Sequence, residues 1–297
     1  MDHARLVLGT AQLGFPYGIA NKTGQPDITV ATDIVREAWE NGICKFDTAQ
    51  GYGESEHILG EVLFELGIAD KVQIITKLHP ALDHLNKESL YKSVAKSMDS
   101  LKVSRLYGLM LHREEFLDRF EDGLAEILQE FTHKGITDYV GVSVYSPEYA
   151  LKALNSEIID MVQLPSNILD RRFLNAGVFD RAIVTGKEVF IRSVFLQGLL
   201  LIEPNELREN MYYVKPVLDD FVRLSKKLGM TRQEVALTYV KYQFPGANII
   251  FGAETVKQVV DNVAIWTLEI PESSLQIMNG WFTDIEEKIV NPALWPN

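Results

Sequence analysis

The chain alternates between short runs of apolar, β-branched residues and longer stretches in which apolar residues recur every three or four positions. The short runs predict eight strands, at residues 6–10, 43–47, 72–77, 106–112, 139–143, 159–163, 188–193 and 248–252. The longer stretches predict helices at residues 29–41, 54–66, 87–101, 120–133, 147–154, 176–185, 214–228 and 231–242. This order is typical of parallel βαβ units, because each strand needs a helical crossover to reach the next.

Eight such units predict a closed (β/α)8 barrel of the α/β class, a TIM barrel, in which residues 1–297 form a single domain. An open doubly wound sheet is the alternative, but the segment after the first strand, residues 9–14, does not match the glycine-rich phosphate loop expected there. Residues 203–213 are predicted to be irregular. Thr231 and Glu234 are spaced as a capping box at the start of the last helix.

The composition of the chain indicates which kinds of partner it can bind and in which cellular compartment it is expected. The formal net charge of −12 argues against a nucleic-acid partner, since binding phosphates requires clustered cations. No apolar run approaches the roughly 20 residues that a membrane span needs, and the first residues do not resemble a secretory signal. The lone cysteine, Cys44, fits a reducing compartment and is expected in the core. The sequence therefore predicts a cytoplasmic protein without a membrane segment, and no feature predicts an oligomeric state.

Polar residues stand at the ends of three successive predicted strands. Asp47 ends the second strand, Lys77 the third and His112 the fourth, and Tyr52 follows Asp47 in a glycine-containing loop. Taken singly, each also fits a turn former or a packed side chain. The carboxyl ends of barrel strands share one face, however, so we expect these four side chains to converge where barrel enzymes carry their chemistry.

A tyrosine beside a lysine has a chemical use. A nearby cation favours phenolate, so we expect Lys77 to lower the pKa of Tyr52 below its usual value of about 10. A tyrosine tuned in this way can donate a proton near neutral pH.

These residues, together with others spread along the chain, closely resemble the aldo-keto reductase family. The matching segments are FDTA at 46–49, YGESE at 52–56, TK at 76–77, LH at 111–112, GVS at 141–143, VQ at 162–163, NILDR at 167–171, QGLL at 197–200, GA at 252–253 and DN at 261–262. As a set they are far more specific than any one motif.

The resemblance implies a reductase that converts a small aldehyde or ketone to an alcohol with a nicotinamide cofactor. Tyr52 would be the general acid, Lys77 and Asp47 would tune it, and His112 would orient the carbonyl. The opening segment, residues 8–19, resembles a bacterial branch associated with sugar genes, so a sugar-derived carbonyl is a candidate substrate. Phe15, Tyr17 and Trp295 are candidates for lining the substrate pocket, although loop aromatics are more often packing residues.

The resemblance also implies a set of cofactor-binding residues. They are Gly9, Thr10, Asp47, Ser143, Gln163, Arg192, Gln197, Gly198, Leu200, Gly252, Ala253, Gln258, Asp261 and Asn262. Arg192 would stack on the nicotinamide; its alternative is a surface ion pair. NADPH is the expected cofactor and NADH the alternative, since Gly252 and Gln258 stand where relatives carry cations and Glu254 would repel a phosphate.

Three other functions use the same residues differently. A Schiff-base aldolase would use Lys77 as its nucleophile. A regulatory protein would bind the cofactor with little turnover. A metal-dependent hydrolase or isomerase would need a cluster of histidines and carboxylates at the strand ends, of which only Asp47 and His112 qualify, so no metal site is predicted.

Overall fold

The computed structural model describes residues 3–296 and shows eight parallel strands closed into a barrel in chain order. The strands are β1 (Leu6–Gly9), β2 (Lys45–Asp47), β3 (Gln73–Leu78), β4 (Leu106–Leu111), β5 (Thr137–Ser143), β6 (Met161–Pro165), β7 (Glu188–Arg192) and β8 (Asn248–Gly252). Pairing of β1 with β8 closes the barrel. The predicted (β/α)8 fold is confirmed, and the predicted boundaries at residues 1 and 297 lie outside the described residues.

The strands are joined by helices that cover the outside of the barrel. They are α1 (Ala11–Gly14), α2 (Ile28–Glu40), α3 (Ser55–Glu65), α4 (Lys87–Leu101), α5 (Leu124–His133), α6 (Pro147–Asn155), α7 (Arg172–Asn175), α8 (Val178–Thr185), α9 (Lys215–Leu228), α10 (Arg232–Gln243), α11 (Val256–Trp266), α12 (Glu272–Asn279) and α13 (Glu287–Val290). The capping box at α10 is confirmed, with Thr231 and Glu234 each bonding the other's backbone amide. Across residues 3–296, no helix has the length and apolar character to cross a bilayer.

Some predicted boundaries are wrong for local reasons. The predicted helix 120–133 is divided into a 3-10 helix, Glu114–Asp122, and α5, because Gly123 between them takes φ 103°. Gly177, with φ 72°, likewise makes α8 start later than predicted. The segment 203–213, predicted to be irregular, contains two 3-10 turns. Cys44 directly precedes β2 and is partly exposed, so it is not a core residue.

The barrel interior is filled by side chains from six of the eight strands. They are Val7, Ile75, Met110, Met161, Phe190 and Ile250. Met161 lies so close to Gly141 and Gly108 that an added Cβ would meet its side chain at 2.5 and 2.8 Å. The two glycines therefore leave room for Met161, and the interior is a packed core that separates the two ends of the barrel.

A polar cluster closes the barrel end at which the strands begin. Lys45 Nζ donates to Asn248 Oδ1 at 2.8 Å and lies 3.7 Å from Glu188 Oε2. Asn248 and Tyr107 also donate to the Glu188 carboxylate. These polar groups satisfy one another, so the cluster is structural and the chemistry belongs at the opposite end.

We expect Gly141→Ala to lower the free energy of unfolding by about 1–3 kcal/mol, because the new methyl would overlap Met161 in a filled core. Urea denaturation measures the change. Gly246→Ala is the matched control, since nothing lies within 4 Å of a Cβ there. Equal effects of the two substitutions would contradict the packed interior.

Candidate active site

An ion pair joins the carboxyl ends of β2 and β3. Lys77 Nζ donates to Asp47 Oδ1 at 2.7 Å, to Asp47 Oδ2 at 2.8 Å and to the Thr48 carbonyl oxygen at 2.9 Å. Gln163, from β6, donates its amide nitrogen to Asp47 Oδ1 at 2.7 Å. Lys77 is 1% exposed and Asp47 3%. Burial lowers the pKa of Lys77 and the Asp47 carboxylate opposes that shift, so the pair depends on its own hydrogen bonds to stay charged.

Tyr52 lies above this pair, in the turn that follows β2. Its amide donates to the Ala49 carbonyl at 3.0 Å, which fixes the turn. Gly53, at φ 54°, passes so close to Gly14 that a Cβ would lie 2.6 Å from the Gly14 carbonyl oxygen. Lys77 Nζ is 5.0 Å from the centroid of the Tyr52 ring. The loop thus folds back over the barrel and places the phenol beside the ion pair, as predicted.

The electrostatic environment of Tyr52 differs from the prediction. Burial raises the pKa of Tyr52 above its usual value, and the Asp47 carboxylate raises it further, while Arg192 opposes the rise. The predicted lowering of this pKa by Lys77 is wrong, because burial of the phenol dominates and the Asp47 carboxylate bonded to Lys77 adds to the rise. Tyr52 therefore keeps its proton over the physiological pH range.

His112 follows β4 and meets the edge of Tyr52. The two ring centroids are 5.6 Å apart, with the planes at 81°. Burial lowers the pKa of His112 to about 3, and the positive charges of Lys77 and Arg192 add to the effect. His112 is therefore a neutral imidazole at physiological pH. Its Nδ1 is buried without a hydrogen-bond partner among residues 3–296.

A cavity of about 290 Å³ runs from this group of side chains along the carboxyl ends of β1, β7 and β8. Most of the predicted cofactor-binding residues line it. They are Gly9, Thr10, Asp47, Gln163, Arg192, Gln197, Gly198, Gly252, Gln258 and Asn262. The structure therefore brings together in one wall residues that are far apart in sequence.

Four predicted cofactor-binding residues are not among the described residues that line the cavity. Ser143 ends β5 beside Gln163 but is 2% exposed. Leu200 and Ala253 are buried in the apolar core. Asp261 lies on the outer side of α11, where Lys257 Nζ binds both of its carboxylate oxygens.

Arg192 is held by π and backbone contacts rather than by an acid. Its guanidinium carbon lies 4.3 Å from the centroid of the Tyr145 ring, and Nη2 donates to the Val144 carbonyl oxygen at 3.4 Å. Among the described residues, no carboxylate lies within 4.0 Å of it, so the alternative of a surface ion pair is wrong. Arg192 contributes an uncompensated positive charge to the cavity wall.

Sequence reasoning missed several residues that line the cavity and come from α1, from α10 and from the segment after β7. They include Gln12, Ser193, Phe195, Gln233 and Leu201. The Gln12 side chain packs directly against Gly252, where a Cβ would lie 2.2 Å from the Gln12 amide nitrogen.

The three candidate aromatics of the substrate pocket divide into two groups. Tyr17 lines the cavity, and Phe15 stands edge-on to both Tyr17 and Tyr52. Trp295 donates from Nε1 to the Ile289 carbonyl and packs against the core, so it is a packing residue.

The loop after β1 bridges to the loop after β7 beside the cavity. The Ile19 amide donates to the Gln197 carbonyl oxygen at 3.1 Å. Gly198, at φ 88°, lies against Ala20, where a Cβ would be 2.5 Å from the Ala20 methyl. Glycine at 198 thus lets the two loops meet.

No three His, Cys, Asp or Glu side chains in residues 3–296 are grouped so as to hold a metal ion. The arrangement is instead a proton-bearing phenol, a neutral imidazole and a compensated ion pair at one end of the cavity. Together with the closed barrel, it defines an α/β-barrel enzyme whose site lies at the carboxyl ends of the strands.

Comparison with known proteins identifies the family. The model of the aldo/keto reductase family matches residues 5–281. The NADH-specific methylglyoxal reductase of Escherichia coli K12 is 26% identical, with 93% of each chain covered. The holo aldo-keto reductase of Bacillus halodurans has a TM-score of 0.76 at 21% identity, over 97% of this chain and 95% of that one. A Klebsiella pneumoniae aldo/keto reductase in complex with NADP and acetate has a TM-score of 0.71 at 18% identity, over 94% and 91%. The chain belongs to the aldo/keto reductase family.

Breaking the ion pair from one side should destabilise the fold more than removing both charges. We expect Asp47→Leu to lower the free energy of unfolding by about 3–5 kcal/mol, because Lys77 would be buried without its partner. The double variant Asp47→Leu/Lys77→Met should lose less. Urea denaturation of both variants and the wild type tests this, and a double variant less stable than the single one would contradict it.

The neutral state of His112 has a measurable pH signature. In the unfolded chain the imidazole protonates near its ordinary pKa of 6.5, whereas in the fold its pKa is about 3. The unfolded state then binds more protons, so the free energy of unfolding should fall as the pH drops below about 6.5, by up to about 1.4 kcal/mol per pH unit. Urea titrations of wild type and His112→Gln should diverge in this range. If the difference in the free energy of unfolding between wild type and His112→Gln did not change with pH, the assignment of a neutral His112 would be contradicted.

Proposed function

We propose that this chain reduces a small aldehyde or ketone to the alcohol, with a nicotinamide dinucleotide bound along the cavity. The observation that carries the proposal is the placement of Tyr52 directly above the buried Lys77–Asp47 pair, edge-on to His112, at one end of that cavity.

The residues present fit such a cofactor. The polar part of the wall is mainly amides and hydroxyls, which suit a carboxamide, ribose hydroxyls and a diphosphate, and Arg192 adds one cation. When bound, the nicotinamide supplies a hydride from its C4 to the carbonyl carbon. The Bacillus halodurans and Klebsiella structures support this reading, since the first is a holo form and the second is in complex with NADP.

Tyr52 and His112 act on the carbonyl oxygen. Tyr52 donates its Oη proton to that oxygen as the carbon is reduced, which is general acid catalysis. His112 is neutral and carries one N–H; because Nδ1 is buried without a partner, we assign the proton to Nε2, which can hydrogen-bond the same oxygen. Lys77, paired with Asp47, lies 5.0 Å from the centroid of the phenol ring, and the positive charge of Arg192 favours the phenolate that forms.

The Schiff-base alternative fits less well. All three protons of a Lys77 ammonium are directed at Asp47 and Thr48, so the amine is not presented to a carbonyl. The regulatory alternative keeps the same geometry and differs only in turnover.

Both the expected cofactor, NADPH, and the alternative, NADH, have support from relatives. One relative is NADH-specific by name, and another is in complex with NADP. A cytoplasmic location and a small-molecule rather than a nucleic-acid partner stay predictions, supported by the single cysteine and the net charge of −12. A sugar-derived carbonyl is one candidate substrate, and methylglyoxal, named for the Escherichia coli relative, is another.

Tyr52→Phe should lower kcat by about 10²–10⁴-fold, because it removes one proton donor and leaves the ring in place. We would measure NADH and NADPH oxidation with methylglyoxal and a panel of sugar-derived aldehydes, and cofactor binding by fluorescence titration. Tyr149→Phe is the matched control, since the Tyr149 hydroxyl bonds Asp118 outside the cavity.

The reductase function is supported if Tyr52→Phe still binds the cofactor but no longer reduces the carbonyl, while Tyr149→Phe keeps both properties. Binding by the wild type without turnover of any carbonyl would favour the regulatory alternative, and binding of neither cofactor would overturn the proposal.

A further inference from the structure

The cavity has two ends of different chemistry. Tyr52 and Asp47 mark one end. The other end, which we call the β8 end, is formed by residues of α1, β8, the loop after β8 and α11: Gln12, Gly252, Glu254 and Gln258. If the nicotinamide lies beside Tyr52, as the proposed function requires, an extended dinucleotide places its adenosine toward the β8 end.

Within residues 3–296, the β8 end has no cation placed to bind a phosphate. Among the described residues that line the cavity, Arg192 is the only lysine or arginine, and it lies at the end of β7 against Tyr145. The neighbouring Lys257 is bound by both oxygens of Asp261, at 2.6 and 2.8 Å. Lys22, in the loop after β1, is 3.3 Å from Glu206. The positive charges near this end thus already have acidic partners.

A carboxylate is present there instead. Glu254 lines the cavity, and its Oε2 accepts a hydrogen bond from the Thr23 hydroxyl at 3.1 Å. The Glu254 backbone amide donates to Gln258 Oε1 at 2.6 Å. That amide is therefore engaged by Gln258, and the contacts on both sides hold Glu254 at the wall.

We propose that Glu254 makes this chain select NADH over NADPH. A carboxylate accepts hydrogen bonds from the free ribose hydroxyls of NADH, the role that acidic residues have in other dinucleotide sites. The 2′-phosphate of NADPH carries a charge of about −1.5 to −2 near pH 7, by analogy with other phosphate monoesters. Glu254 would repel this phosphate, and among the described residues no unpaired cation in the cavity wall at the β8 end compensates. This inference rests on the proposed function and departs from the expectation of NADPH.

The direct test is the ratio of dissociation constants for NADPH and NADH, measured by fluorescence titration at low ionic strength. We expect the wild type to bind NADH at least about tenfold more tightly, a preference that falls as salt screens the repulsion. Glu254→Gln should reduce the ratio by about tenfold, mainly through tighter NADPH binding. Glu40→Gln removes the same charge from the exposed end of α2 and should leave the ratio unchanged.

A second measurement does not depend on the variant's folding. Adenosine 2′,5′-bisphosphate and 5′-AMP compete for the adenosine end alone, and wild type should bind 5′-AMP more tightly. Tighter binding of NADPH or of the bisphosphate by wild type, or an unchanged ratio in Glu254→Gln, would overturn the role of Glu254. Failure of the wild type to bind either dinucleotide would instead refute the proposed function.

Discussion

The contact between Lys77 and Asp47 is the constraint on which the rest of the site depends. Two opposite charges that are almost fully removed from water are stable only if each satisfies the other and the remaining hydrogen-bonding groups also find partners. Thr48 and Gln163 supply those partners, from the turn after β2 and from β6. Strands on different sides of the barrel are thereby tied to one point, and Tyr52 is held relative to that point.

The strand ends could be predicted because they depend on local pattern. Runs of apolar residues show where a buried parallel strand stops, and Asp47, Lys77 and His112 stand at or next to those stops. In a closed barrel, chain order determines which ends are neighbours, so their proximity follows from the fold class. The wall of the cavity was only partly predictable. Gln12 and Gln233 come from a short helix and from the start of α10, and no periodicity marks them as facing a cavity.

The direction of the Tyr52 pKa shift could not be predicted from one neighbour. It depends on how deeply the phenol is buried and on whether the Lys77 charge is already compensated, and both are three-dimensional quantities. The contacts of Arg192 likewise could not be predicted from the sequence. Its place at the end of β7 could be predicted, but its stacking on Tyr145 depends on the geometry of β5 and β7 across the barrel mouth. Backbone turns at Gly123 and Gly177 shifted helix boundaries for a related reason, since positive φ angles are not visible in hydrophobic pattern.

The packing of Met161 against Gly141 and Gly108 has a consequence for how the sequence of such a protein can change in evolution. This layer of side chains leaves no passage through the barrel, and the polar cluster of Lys45 and Glu188 shares no side chain with the wall around Tyr52. Substitutions in that cluster are therefore expected to change stability, whereas, under the proposed function, substitutions in the loops at the other end are expected to change selectivity. The two properties can therefore diverge independently within a lineage, provided that the layer between them keeps its volume.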